Sequence, residues 1–102
     1  MELQYNLVVS EAALFEFNES FQYYETQKTG LGKEFAKIID NSFNLIINNP
    51  LANKKLKKEI RIFIVEKFPF VIHYKVIEKS KEIIVISVFH TSRNPIIWKK
   101  RV

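Results

Sequence analysis

At 102 residues, 47% hydrophobic and 14% aromatic with nine Phe, the chain has the length of one domain and the apolar content of a folded core, which excludes a disordered chain and a pair of ordinary domains. The absence of Cys excludes disulfides, thiolate metal sites and cysteine nucleophiles, and no apolar run nears the roughly 20 residues that span a bilayer. The net charge of +5 is unevenly spread: residues 1–50 hold seven acids against three Lys, residues 51–102 thirteen bases against four acids, so the halves carry −4 and +9.

In chain order, "LQYNLVV" (3–9) is short and β-rich, and Ser10 stands where an N-cap belongs, with Glu11 in the favourable first turn. From Glu11 to Lys28 the apolar Leu14, Phe17, Phe21 and Tyr24 recur at spacings of three and four, which predicts an amphipathic helix. "TGLG" (29–32) contains both glycines and breaks it. A second helix is predicted over about Lys33 to Asn48 from Phe35, Ile38, Ile39, Ser42, Leu45 and Ile46, ended by Asn49-Pro50 because a residue before Pro avoids the α region.

"LANKKLKK" (51–58) reads as a basic connector. After it the period drops toward 2, and "IRIFIVEKF" (60–68), "FVIHYKVIE" (70–78) and "EIIVISVFH" (82–90) predict an antiparallel meander of three strands, broken at Pro69 and at "KSK". The tail after Pro95 has room for a helical turn. The order βααβββ predicts an α+β fold, a single domain over residues 1–102 with a helical hairpin on one sheet face. The N-terminus has no cationic leader, so a cytoplasmic protein is expected, without a membrane partner.

Six stretches in this order, "YYE" (23–25), "GLGKEF" (30–35), "NNP" (48–50), "IR" (60–61), "FPFVIHY" (68–74) and "VFHTSRNPIIW" (88–98), resemble the RelE/ParE superfamily of type II toxin–antitoxin toxins, especially its ParE-like, plasmid-stabilisation branch. The resemblance covers nearly the whole chain. It implies a small toxin neutralised by a cognate antitoxin, with DNA gyrase (ParE-type) or ribosome-bound mRNA (RelE-type) as target, in a homodimer or a toxin–antitoxin hetero-oligomer, and with neither cofactor nor metal. RelE-type nucleases place Lys, Arg and commonly a C-terminal Tyr on the sheet surface. Here the C-terminal aromatic is Trp98, which has no ionisable hydroxyl, and Phe70 replaces the Tyr usual in the "FPY" turn. These departures favour inhibition of gyrase by binding over mRNA cleavage.

The residues themselves leave several roles open. Cleavage of RNA without a metal needs proton-transfer groups and cations around one phosphate, and Lys58, Arg61, His90 and Arg93 are the candidates for that chemistry. As a target-binding or antitoxin-binding surface, the set is Lys57, Lys58, Arg61, His90, Arg93, Trp98, Lys99, Lys100 and Arg101. The bland readings stand beside these: His90 as a strand terminator that orders the Arg93 turn, His73 as a satisfied sheet residue, Trp98 as a core ring, the lysines as a solvated face. If Ile60 and Ile62 face the helices, Arg61 stands on the open sheet face and shares one concavity with Arg93. Glu11, Glu16, Glu19 and Glu25 of the first helix are expected to be solvated. A third class, a basic α+β domain that binds nucleic acid or protein without toxicity, fits the same composition.

Overall fold

A computed structural model describes residues 4–102; Leu3, the first residue of the predicted opening strand, lies outside them. The elements run β1 (Asn6–Val9), α1 (Glu11–Gln27), α2 (Leu31–Asn48), β2 (Lys55–Lys57), β3 (Ile60–Ile64), β4 (Phe70–Ile77), β5 (Glu82–His90) and α3 (Ile96–Lys99). The architecture is α+β, with the two long helices packed on a single sheet.

Local chemistry accounts for the helix limits. Ser10 caps α1, its Oγ accepting from the Ala13 amide at 3.2 Å. Gly30 has φ +90, the left-handed conformation that lets the chain reverse between the helices. At Gly32 a Cβ would lie 2.8 Å from the Phe21 carbonyl oxygen, so glycine is what allows α2 to start hard against α1. The Glu25 carboxylate accepts from the amides of Gly30 and Gly32, at 3.1 and 2.9 Å, and so satisfies donors at the start of α2.

The sheet order is β1-β5-β4-β3-β2. β3, β4 and β5 form the expected antiparallel meander, while β1 joins β5 in parallel, pairing Asn6 with Glu82 through Val9 with Val85. The sheet is therefore mixed, and the first strand is part of it. The connector read as irregular supplies a further edge strand, β2, all of whose residues are exposed. A lysine-rich, solvent-facing edge resists pairing with other chains, and its lack of an apolar face is why periodicity passed over it.

Each sheet face has its own apolar cluster. Toward the helices, Ile72, Tyr74, Ile83, Val85 and Val88 pack with Ala13, Phe35, Ile39 and Ile46. On the outer face, Ile60, Ile86, Phe89 and Trp98 form a smaller cluster, with α3 laid over it. The register slips between His73/Tyr74 on β4 and Ser87/Val85 on β5, leaving Ile86 as the bulged residue without a partner.

Candidate functional site

The bulge and the end of β1 create the site. β1 pairs with β5 only as far as Val85, and the Ser10 amide closes that ladder on the Val85 carbonyl at 3.0 Å. Beyond it, the β5 backbone on that side needs other partners. The Ile86 carbonyl accepts from Arg101 Nη1 at 3.1 Å and from Ser10 Oγ at 3.3 Å, and the Val88 amide donates to Glu16 Oε1 at 3.1 Å. Side chains thus finish the hydrogen bonding that a longer β1 would have supplied.

Glu16 is the centre of this arrangement. It is 6% exposed, and its two oxygens together accept four hydrogen bonds: one from the Val88 amide at 3.1 Å, two from Arg101 at 3.0 and 2.9 Å, and one from Arg93 Nη1 at 2.8 Å. The expectation of a solvated Glu16 is therefore corrected. Glu16 lies one helical turn after the buried Ala13, and no local pattern signals that two arginines from the end of the chain fold over it. Arg101 is the better covered of the two, with 22% of its side chain exposed against 41% for Arg93.

Above Glu16 opens a cleft of about 1040 Å³ between α1 and the end of β5. Ala12, Phe15, Glu19 and Tyr23 form the α1 wall, and Val88, His90, Ser92 and Arg93 the opposite one. Phe15 and Tyr23 are 65% and 60% exposed, a second apolar stripe on a helix whose other apolar side, through Ala13, Phe17 and Tyr24, already meets the core. His90 Nδ1 accepts from the Ser92 amide at 3.1 Å, and the Arg93 amide donates to the His90 carbonyl at 3.1 Å. His90 thus orders the turn that presents Arg93.

The structure brings together His90, Arg93 and Arg101 from the predicted set. Arg61 lies elsewhere. It pairs with Tyr74, on the helix side of the sheet, because Ile60 faces outward to Trp98 and side chains alternate. Its Nη1 donates to the carbonyls of Leu51 at 3.0 Å and Asn53 at 2.7 Å, and Tyr74 Oη donates to the Pro50 carbonyl at 2.7 Å, so both secure the α2–β2 connector. Its β4 partner Tyr74 is four residues, about 13 Å, from Phe70, the partner of His90. The shared concavity expected for Arg61 and Arg93 is thus not formed.

Trp98 is 4% exposed and stacks on the buried His73 ring, with centroids 3.9 Å apart and planes 19° from parallel. Burial, and then the positive charge of Arg101, lower the His73 pKa to about 4, so the ring is neutral near pH 7, with Nδ1 2.6 Å from Ser87 Oγ. Lys57 and Lys58 lie in and just after β2, and Lys99 and Lys100 at the end of α3, all exposed. No group of His, Asp or Glu among the described residues is arranged to hold a metal ion.

Solved structures similar to this fold include two from toxin–antitoxin systems. A chromosomal ParDE system from P. aeruginosa matches with TM-score 0.63 at 15% identity, covering 85% of this chain and 96% of that one. A RelBE toxin–antitoxin complex from Mycobacterium tuberculosis matches with TM-score 0.61 at 12% identity, covering 86% and 99%. No curated protein matches the chain. The family model for the ParE toxin of type II toxin–antitoxin systems matches residues 7–95, which takes in β1 from Leu7, both long helices, the remaining strands and the His90–Arg93 turn, and the chain is accordingly a member of the ParE toxin family.

Proposed function

We propose that this ParE-family toxin acts by binding DNA gyrase, without cleaving RNA, and that a cognate antitoxin neutralises it. The observation that carries the reading is the internal use of its arginines: Arg93 and Arg101 bind Glu16, and Arg61 binds two backbone carbonyls. Metal-free RNA cleavage needs such cations turned toward one phosphate, together with an acid and a base. Trp98 offers neither acid nor base, and it is buried against His73. Lys58 is separated from His90 and Arg93, lying in the β2–β3 turn at the far end of β3.

The target-binding surface in this reading is the α1–β5 cleft, where exposed Phe15 and Tyr23 face His90 and the half-exposed Arg93. Large aromatics and arginine are the residues that anchor protein interfaces. An antitoxin is supported by the charge of the C-terminal half, since a disordered segment of opposite charge can fold onto such a surface.

The test is to induce the protein and compare, in the same cells, plasmid supercoiling, double-strand breaks and mRNA integrity, with purified gyrase assayed in parallel. Lost supercoiling with intact transcripts is expected. Cut transcripts with unaffected gyrase would overturn the reading and favour the ribosome-dependent nuclease, while no toxicity at all would favour a domain that only binds.

A further inference from the structure

The outer sheet face carries a second pocket that the gyrase reading does not use. α3 covers the part of that face around His73 and Phe89, and beyond it a pocket of about 450 Å³ opens. Its floor is aliphatic, made by Ile60, Ile84 and Ile86, and its rim is cationic, with Lys58, Lys75 and Arg101. Arg101 is bound to Glu16, and the one acidic side chain at the rim, Glu59, is paired with Lys55 at 3.1 Å. Among the described residues, Lys58 and Lys75 have no carboxylate within ion-pair range, and both are exposed.

Two unpaired lysines over an apolar floor select for a ligand that is anionic at its edges and apolar between them. A nucleic acid meets only half of that requirement. Its phosphates suit the lysines, but single-stranded bases are held by stacking on aromatic rings, and no aromatic residue lines this pocket. On the same face, Trp98 is already stacked on His73.

We propose that this pocket is a docking site for an acidic, amphipathic peptide segment, which inserts one large aliphatic side chain over Ile60, Ile84 and Ile86 and sets flanking carboxylates on Lys58 and Lys75. For the identity of the segment, an antitoxin arm, the inference rests on the reading above; for its chemistry it rests on the pocket alone. Lysines at the rim hasten encounter and set orientation, while the buried aliphatic side chain carries the part of the affinity that salt does not screen. The site lies on the outer sheet face and meets the α1–β5 cleft at Ala12 and Arg101, which line both, so one extended segment passing over Arg101 reaches from one to the other.

The test uses the whole protein and three fluorescein-labelled dodecamers: a peptide alternating Glu with Leu, one alternating Glu with Ser, and oligo(U). Binding is read by anisotropy at low and physiological salt, and located by amide shifts in NMR spectra. The Glu/Leu peptide is expected to bind at least tenfold more tightly than the Glu/Ser peptide, to shift Ile60, Ile84 and Ile86, and to lose tenfold or more in the Lys58→Glu, Lys75→Glu double variant at an unchanged melting temperature. Equal binding of Glu/Ser, tighter binding of oligo(U), or indifference to the double variant overturns the proposal. An antitoxin complex that forms normally with the double variant would overturn the docking site and leave the antitoxin reading standing, whereas failure of any antitoxin to bind the parent protein would do the reverse.

Discussion

Arg101 grips Glu16 through two parallel bonds, Nη1 to Oε1 at 3.0 Å and Nη2 to Oε2 at 2.9 Å, across 85 positions of sequence. The pair joins the first helix to the end of the chain: residues 99–101 have no acid near them in sequence, and the partner of Arg101 is on α1. A planar guanidinium matches a carboxylate in this way, and Lys does not reproduce the geometry.

Glu16→Ala removes the shared acceptor of two arginines and of the Val88 amide. Deleting one partner of a buried ion pair typically costs about 3 to 5 kcal/mol. Because both guanidiniums still reach water, the expected loss here is about 2 to 3 kcal/mol, read as a lower urea midpoint with an unchanged slope. Arg101→Lys should recover less than half of the stability lost in Arg101→Ala.

Trp98→Ala empties the outer cluster and strips the cover from His73. Truncating a buried Trp costs about 3 to 5 kcal/mol, against a total stability of roughly 5 to 15 kcal/mol for a small domain. A sharp fall in melting temperature is expected; an unchanged one would contradict the packing described here.

His73 makes stability depend on pH. Its folded pKa, about 4, lies below the ordinary imidazole value of 6.5, so the fold favours the neutral ring. The contribution is fully present above pH 6.5 and is lost progressively as pH falls from 6.5 toward about 4, since the unfolded chain takes up the proton first. Denaturation midpoints measured across that window should decline in the parent protein, and the part of the slope due to this group should vanish in His73→Gln.

Arg61→Ala should act on the connector rather than on the target-binding surface. Hydrogen bonds from a charged donor contribute about 1.5 to 3 kcal/mol, and Arg61 makes two, to Leu51 and Asn53. Hydrogen exchange at residues 51–57 should quicken, while toxicity at matched folded protein stays near the parent's.

Arg93→Ala is expected to do the opposite. Glu16 keeps its Arg101 partner, so the stability loss should stay near 1 kcal/mol, the level of a partly exposed ion pair. Toxicity at matched expression should fall, because Arg93 is the more exposed of the two guanidiniums that line the cleft. Full toxicity in a folded Arg93→Ala protein would place the active surface elsewhere.

The local elements were legible in the amino-acid order. The Ser10 cap, the glycine break at 29–32, the stop before Pro50 and the β-branched runs are short-range signals, and β5 occupies residues 82–90 as its pattern implied. The burial of Trp98 and the His90 turn were among the alternatives that the residues left open, and the structure shows both. Tertiary structure alone decided which face each charge would meet. Alternation says that Arg61 and Ile60 point opposite ways, but only the covering of the outer face by α3 decides that Ile60 goes to Trp98 and Arg61 to the helix side. The parallel β1–β5 pair joins residues more than 70 positions apart, and it stops at Val85, leaving backbone groups that Glu16 and Arg101 complete. Those contacts depend on strand pairing and on one bulge, neither of which has a period that a local pattern can carry.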